Sequence, residues 1–284
     1  MSADILDKFI ADALLEDIGS GDHTTLACIP PDASGKAVLL VKQQGVIAGI
    51  EIAQKVFKAF DTSMTIEVKI SDGARIKPGD RAFIVTGKQQ SILQTERLVL
   101  NIMQRMSGIA TRTALFVDEI AGTNAKILDT RKTTPNMRLL EKEAVRIGGG
   151  YNHRMGLYDM ILIKDNHIDY AGGITRALNR TVRYLKTNNL ELKIEIEARS
   201  LDDVREILDQ GAANRILLDN FTPEKIKEAV DLINRQIETE ASGGIDIKNI
   251  RDYALTGVDF ISVGALTHQI FSLDMSLKAI GPTE

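Results

Sequence analysis

The sequence predicts an α/β chain in two parts: a small N-terminal sheet with helices, then a parallel β/α array that closes into a barrel. Three observations predict this. From Ile127 onward, short apolar runs near 127–130, 160–164, 192–197, 215–219, 236–240 and 259–263 alternate with helical periodicities. Those runs end in Arg131-Lys132, Lys164, Glu197, Asp219, Ser242-Gly243 and Gly264. Reactive groups at every strand end suit a barrel, whose ends share one mouth, better than a doubly wound sheet with one crevice. Before Ile127, β-like runs at 36–42, 46–50, 64–70 and 82–87 are parted by turn residues such as Asp72-Gly73 and Lys77-Pro78-Gly79-Asp80.

In the first part, Ile5, Leu6, Phe9, Ile10, Ala13 and Leu14 recur at helical spacing, and Gly19-Ser20-Gly21 ends that helix. Asp22-His23-Thr24-Thr25 reads as a polar loop. Phe57 and Phe60 lie on a helical stretch between the second and third β runs. Ser91 is expected to cap a long helix carrying Leu93, Val99, Ile102 and Met106, with an interruption at Ser107-Gly108 and a second helix to about Ile120. Arg97 on this helix reads, from the residues alone, as a solvated or ion-paired side chain.

In the second part, helical patterns at Ile174–Leu185, Leu201–Leu208 and Ile226–Ile233 separate the strands, and Pro223 suits the first turn of the last. A short strand is expected near 149–153. Arg131, Lys132, Arg154 and Lys164 stand at or near element ends, which is how a site for a strongly anionic small molecule would be written. In 192–197, Lys193, Glu195 and Glu197 share one face of the strand, and only Glu197 would reach a barrel mouth. Glu197 and Asp219, at neighbouring strand ends, could hold Mg²⁺ directly or through water; equally, they could pair with the cations as a buried ion network. Ser242-Gly243-Gly244 reads as strand, glycine pair, helix start, a place for phosphate, and Gly264 could approach the same phosphate. His268 would be a phosphate contact or a surface residue, and His167 would hold the loop after Lys164. Gly148-Gly149-Gly150 is not a dinucleotide fingerprint.

Composition sets bounds. The 284 residues are 44% hydrophobic and 26% charged, ordinary values for a globular protein. A net charge of −4 argues against general nucleic-acid binding. The single cysteine, Cys28, cannot make an internal disulfide and fits a reducing cytoplasm. The N-terminus has no signal-peptide pattern, no stretch has the length and apolarity of a membrane helix, and no Cys/His grouping has zinc spacing. With several cations, a phosphate nest, two carboxylates and no evident nucleophile, the predicted mouth suits chemistry by positioning and electrostatics, such as transfer of a group away from a magnesium-bound pyrophosphate.

The motifs Leu128-Asp129-Thr130-Arg131-Lys132-Thr133, Asn152-His153-Arg154, Leu162-Ile163-Lys164-Asp165-Asn166-His167, Leu217-Leu218-Asp219-Asn220, Ala241-Ser242-Gly243-Gly244 and Ser262-Val263-Gly264-Ala265-Leu266-Thr267-His268 closely resemble the quinolinate phosphoribosyltransferase family. Glu16-Asp17, Gly21-Asp22, Thr24-Thr25, Glu96-Arg97 and Ser107-Gly108-Ile109-Ala110-Thr111 match as well, so the resemblance spans nearly the whole chain.

The resemblance implies an N-terminal open β-sandwich with helices over 1–112, to which 271–284 return, and a C-terminal α/β barrel of about seven strands over 113–270. It implies transfer of phosphoribosyl from phosphoribosyl pyrophosphate to quinolinate with loss of CO₂ and pyrophosphate, giving nicotinate mononucleotide for NAD synthesis. Arg131, Arg154, His153 and Lys164 would bind the quinolinate carboxylates, with Thr130 nearby. Lys132 and Lys164 would meet phosphoribosyl pyrophosphate, and Glu197 and Asp219 its ribose and Mg²⁺, with Glu195 the alternative to Glu197. Lys132, Glu197 and Asp219 would be the catalytic set. Ser242, Gly243, Gly244, Gly264 and His268 would hold the 5′-phosphate, and Arg97 would reach quinolinate across a homodimer interface. Rival readings are the pyrophosphorylase-like protein associated with molybdate transport, a nicotinate phosphoribosyltransferase, and a regulator that binds the phosphate ligand without turnover. The presence of Arg131, Arg154 and Lys164 argues against the first, and that of Glu197 with Asp219 against the last.

Overall fold

The structure, a computed structural model, describes residues 3–281. In chain order the elements are α1 (Ala3–Ile18), α2 (His23–Cys28), β1 (Ser34–Val41), β2 (Gly45–Val46), α3 (Ile50–Phe60), β3 (Thr65–Val68), β4 (Arg75–Ile76), β5 (Arg81–Lys88), α4 (Gln89–Glu119), β6 (Lys126–Leu128), α5 (Arg138–Ile147), β7 (Ile161–Ile163), α6 (Asp165–Ala171), α7 (Ile174–Thr187), β8 (Ile194–Ala198), α8 (Leu201–Gln210), β9 (Arg215–Asp219), α9 (Pro223–Ile233), β10 (Glu238–Ser242), α10 (Ile250–Ala254), β11 (Phe260–Ser262), α11 (Ala265–His268) and β12 (Met275–Ile280). They form two compact units. The first takes residues up to Ala114, then Thr133–Gly149 and the chain from Gln269; the second takes Leu115–Lys132 and Gly150–His268. Thr133–Gly149 packs with the first unit although it lies in sequence between two stretches of the second. Of the returning segment 271–284, residues 282–284 lie outside the described residues.

The first unit is built on an antiparallel sheet in the order β12-β1-β5-β3. β1 is central to it, pairing Leu39 with Leu277 on one side and with Phe83 on the other. α3 lays Ile52, Ala53, Val56 and Phe57 into the core, where Phe57 meets Phe83 edge-on at 5.9 Å. Asp22 does not sit in a plain loop: its side chain accepts from Thr25 N (3.0 Å) and caps the short α2.

The expected break at Ser107-Gly108 is absent, and α4 runs unbroken from Gln89 to Glu119. Both residues serve packing. Ser107 Oγ accepts from Ala48 N (2.9 Å). A Cβ at position 108 would fall inside the carbonyl oxygen of Phe271, so glycine admits the returning chain. Ser91 is likewise not the cap; it lies inside α4 and donates to Asp61 Oδ2 (2.8 Å).

The second unit is a parallel sheet in the order β6-β11-β10-β9-β8-β7. The first strand, β6, pairs with the last, β11, which marks a sheet rolled on itself rather than doubly wound. The expected strand near 149–153 is reduced to one parallel bridge, Leu128 to Tyr151. Tyr151 N donates to Ile127 O and Asp129 N to Tyr151 O, but the next donor, His153 N, turns to the Asp129 side chain (2.8 Å) and leaves the ladder. The hydrogen-bonded sheet thus has six strands and a seventh point of contact. Ser200 and Thr222 cap α8 and α9, and Pro223 opens α9.

Candidate active site at the strand ends of the second unit

Contacts between neighbouring strand ends run round the whole sheet. After β6 come Thr130, Arg131 and Lys132, with Thr130 Oγ1 accepting from Lys132 N (3.0 Å). After the Tyr151 bridge comes Arg154. It is half-buried, and its guanidinium is drawn below its ordinary pKa first by burial and then by Arg131 beside it. Arg154 also donates to Met160 O (3.2 Å), just ahead of β7. β7 ends at Lys164, whose Nζ meets Glu197 Oε1 at the end of β8 (2.9 Å). Glu197 Oε2 accepts from Asp165 N (2.8 Å). Asp219, ending β9, is raised in pKa by burial and then by Glu197, with Lys164 opposing.

The ring continues to β10. Asn220 N donates to Ser242 O (2.8 Å) and Asn220 donates to Asp219 Oδ2 (2.6 Å). Gly243 and Gly244 both have positive φ, +96° and +63°. A Cβ on Gly243 would collide with the Asn220 side chain, while position 244 is open. The helix expected directly after this pair begins only at Ile250; an Asp246–Asn249 turn intervenes, in which Asp246 N donates to Asn249 Oδ1 (2.8 Å). The backbone concavity is therefore a turn and not a helix N-terminus. After β11, Gly264 is overlain by His268 and Lys132, either of which a Cβ would press. Thr267 Oγ1 donates to Lys132 O (2.8 Å) and joins the last strand end to the first.

Beneath the ring lies a polar layer, buried at Glu195 and Glu240 and more open at Glu238. On β8, β9 and β10, the residues Glu195, Arg215 and Glu238 stand at one register level. Arg215 donates to Glu238 Oε2 (3.0 Å) and Glu240 Oε2 (2.9 Å), and its guanidinium stacks 4.0 Å over Phe260. His153 Nε2 faces Glu195 Oε2 at 2.9 Å and Glu240 Oε2 at 3.6 Å. His153 Nδ1 accepts from Arg154 N (2.7 Å). Burial raises the Glu195 carboxyl, against the pull of Arg215, and pushes Glu240 up to about 8.

The structure thus brings Thr130, Arg131, Lys132, Arg154, Lys164, Glu197, Asp219, Ser242, Gly243, Gly244, Gly264 and His268 to one set of strand ends. His153 is directed down from them: its side chain is 7% exposed and both ring nitrogens face protein partners. Glu197, not Glu195, is the strand-end carboxylate that meets Lys164. His167 holds the turn after Lys164, Nδ1 accepting from Lys164 N (2.9 Å). Arg97 lies exposed on α4 in the first unit. The sequence reading did not single out Arg215, Glu238 or Glu240. The available signal was the alternation Glu238-Thr239-Glu240, which places two carboxylates on the face that carries Ser242.

Among the described residues, Asp219 fits a divalent cation best at the strand ends, since it commits only Oδ2, to Asn220. Glu197 has both oxygens engaged, so it fits such an ion through water.

Residues 22–107 match the quinolinate phosphoribosyl transferase N-terminal domain, and 109–278 the C-terminal domain of the same family. The chain is 46% identical over 281 residues to quinolinate phosphoribosyltransferase [decarboxylating] 1b of Nicotiana tabacum, covering 94% of this chain and 80% of the relative. It is 40% identical over 272 residues to the probable nicotinate-nucleotide pyrophosphorylase [carboxylating] of Bacillus subtilis (strain 168), covering 96% and 92%. Its structure is similar to that of NadC from Streptococcus pyogenes, with a TM-score of 0.92, 38% identity and 99% of both chains covered. With both domains matched in order along the chain, the protein belongs to the quinolinate phosphoribosyl transferase family.

Proposed function

We propose that the chain catalyses the decarboxylating transfer of a phosphoribosyl group from phosphoribosyl pyrophosphate to quinolinate, forming nicotinate mononucleotide, pyrophosphate and CO₂ for NAD synthesis. The observation that carries the reading is Arg131 beside Arg154. Both follow neighbouring strand ends, burial and then Arg131 make the Arg154 charge costly, and a dicarboxylate bound to the two guanidiniums would offset that cost. Lys164 adds a third cation, already balanced by Glu197. Thr130 stands next to this cluster.

On this reading the 5′-phosphate sits on the backbone of Ser242, Gly243, Gly244 and Gly264, with His268 beside it. Lys132 meets the pyrophosphate. Glu197 and Asp219 face the ribose. As the bond from the anomeric carbon to pyrophosphate breaks, positive charge grows on the ribose, and these two carboxylates stabilise it. The pyridine nitrogen then bonds to that carbon. The quaternary nitrogen so formed draws in the electron pair of the adjacent C–CO₂⁻ bond; CO₂ departs and the ring carbon takes up a proton. No base or nucleophile from the protein is required. Asp219 would hold Mg²⁺, with Glu197 reaching it through water; when bound, the ion neutralises the charge of the departing pyrophosphate.

A homodimer in which Arg97 reaches the neighbouring subunit's quinolinate is part of this reading, supported by the exposure of Arg97 on α4. Arg97→Ala and Arg131→Ala subunits, each nearly silent alone at quinolinate well below the variants' KM, should on mixing regain about a quarter of the native activity, because one site of each mixed dimer is intact. No regain after verified subunit exchange removes Arg97 from the partner's site. A cytoplasmic location is also proposed, supported by the lone and exposed Cys28; no helix of the described residues is long and apolar enough to cross a membrane.

The direct test supplies the purified protein with phosphoribosyl pyrophosphate, Mg²⁺ and either quinolinate or nicotinate. Nicotinate mononucleotide with equimolar CO₂ from quinolinate alone is the expected result. Product from nicotinate would replace this reading with the monocarboxylate enzyme, and binding without product would replace it with a regulator.

A further inference from the structure

Glu195 and Glu240 lie side by side in the core of the second unit, one layer below the strand ends, and both are fully buried. Glu195 Oε1 and Glu240 Oε1 have no hydrogen-bond donor, and Glu195 Oε2 has only Nε2 of His153 within reach, at 2.9 Å but not aligned as a hydrogen bond. A buried carboxylate oxygen without a donor is costly, so something must supply one. Several charged groups face the Glu240–Glu195 pair, among them Arg154, which acts on Glu195. Glu195 comes from β8 and Arg215 from β9; Glu238 lies on its own strand; His153 comes from the segment after the Tyr151 bridge. Asp129, at the end of β6, holds the backbone of His153. Arg215 is fixed against Glu240 Oε2, which leaves Oε1 to face Glu195.

We propose that Glu240 is a positioning residue for substrate binding: its Oε1 carries a hydrogen that it donates to Glu195, and the two side chains together confine the imidazole of His153 so that the His153–Arg154 step presents the Arg154 guanidinium to the anionic substrate. A hydrogen on Glu240 Oε1 satisfies the Glu195 carboxylate. Glu195 Oε2 and Glu240 Oε2 then both face Nε2 of His153, at 2.9 and 3.6 Å. Nε2 carries the ring proton because Nδ1 accepts from Arg154 N. The imidazole is thereby bonded at Nδ1 by the Arg154 N–H and confined at Nε2 by the two carboxyl groups, and Arg154, the next residue, is placed with it. Burial keeps Glu240 protonated to about pH 8, which agrees with this arrangement. The geometry of His153, Glu195 and Glu240 could also take a metal ion, since their ligand atoms lie within 4.8 Å of one another. Arg215 already occupies Glu240 Oε2 and brings a positive charge against the cluster, which opposes a second cation and favours the proton.

The inference rests on the quinolinate reading for its effect on catalysis, but the arrangement itself can be read without turnover. In uniformly ¹⁵N-histidine-labelled protein, with the His153 signal identified by its loss in His153→Asn, the expected neutral tautomer carries its proton on Nε2. Glu240→Ala should disturb that signal and Glu240→Gln should restore it, because an amide can accept from Arg215 and donate to Glu195. In steady state, Glu240→Ala should raise KM for quinolinate by about tenfold, the loss of one buried hydrogen-bonded contact, while KM for phosphoribosyl pyrophosphate stays near the parent's. Glu240→Gln should bring quinolinate KM back toward the parent value and abolish its rise above pH 8. An unperturbed His153 signal in folded Glu240→Ala, or a Gln variant as impaired as the Ala variant, would overturn the proposal. So would one equivalent of tightly bound metal in the native protein that Glu240→Gln loses. Failure of turnover with quinolinate alongside the expected ¹⁵N pattern would overturn the functional reading and leave the hydrogen bond from Glu240 to Glu195 standing.

Discussion

Lys164 Nζ and Glu197 Oε1 stand 2.9 Å apart, and the second Glu197 oxygen is taken by the N–H of Asp165. Glu197 is almost wholly buried while Lys164 remains half exposed. Removing the lysine therefore strands a desolvated carboxylate, whereas removing the carboxylate returns the lysine to water. Lys164→Met should lower Tm by several degrees and Glu197→Gln by less. The double substitution should recover stability relative to Lys164→Met but not activity. Thermal melts on all four proteins close the cycle; strictly additive losses would show that the pair is not coupled.

Arg131→Ala and Arg154→Ala each relieve one repulsion and remove one carboxylate partner. Each should raise quinolinate KM by about 100-fold, the scale of a charge-assisted bond. Unaltered quinolinate kinetics in either variant would detach that arginine from the dicarboxylate.

Gly243→Ala places a Cβ against the Asn220 side chain at a backbone angle that L-residues seldom adopt. The strain should appear chiefly in binding of phosphoribosyl pyrophosphate, as a KM raised at least about tenfold, and in a stability loss of about 1–3 kcal/mol. Gly244→Ala meets no neighbour and so should be milder despite its own positive φ. Equal effects at the two positions would contradict this picture.

The Glu240 carboxyl gives a stability profile with a definite sign. Its folded pKa of about 8 lies above its ordinary value of 4.5, so the folded state binds the proton more tightly than the unfolded chain does. The resulting contribution is complete below pH 4.5 and is lost as pH rises toward 8. Glu240→Gln cannot lose a proton, so its Tm relative to the parent should climb steadily between pH 5 and 8 and level off beyond. A difference in Tm that is flat across that window would place the Glu240 pKa in the ordinary range.

The strand ends were legible because a short continuous apolar run closing on a polar residue is a local signal: Ile161-Leu162-Ile163-Lys164 and Leu217-Leu218-Asp219 announce both a strand and its working residue. The layer below was not. Glu238-Thr239-Glu240 reads as a polar strand, and its burial depends on Arg215, which arrives from another strand. Ser107-Gly108 misled for a related reason. A glycine chosen for the close approach of a distant carbonyl looks, in sequence, like one chosen to end a helix. The amphipathic pattern of α5, with Leu140, Ala144 and Val145 on one side, announces a buried face but not which unit receives it.

The bond from Thr267 to the carbonyl of Lys132 joins residues 135 positions apart, and β6 meets its second ladder neighbour only when β11 has been made. During synthesis, then, β6 and β10 each wait with an unpaired edge until almost the whole chain has left the ribosome. Folding of this unit should be slow and late, its contact order dominated by that one closure. A chain truncated before Phe260 would present two sticky strand edges and no mouth, which makes premature termination a route to aggregation rather than to a weaker enzyme.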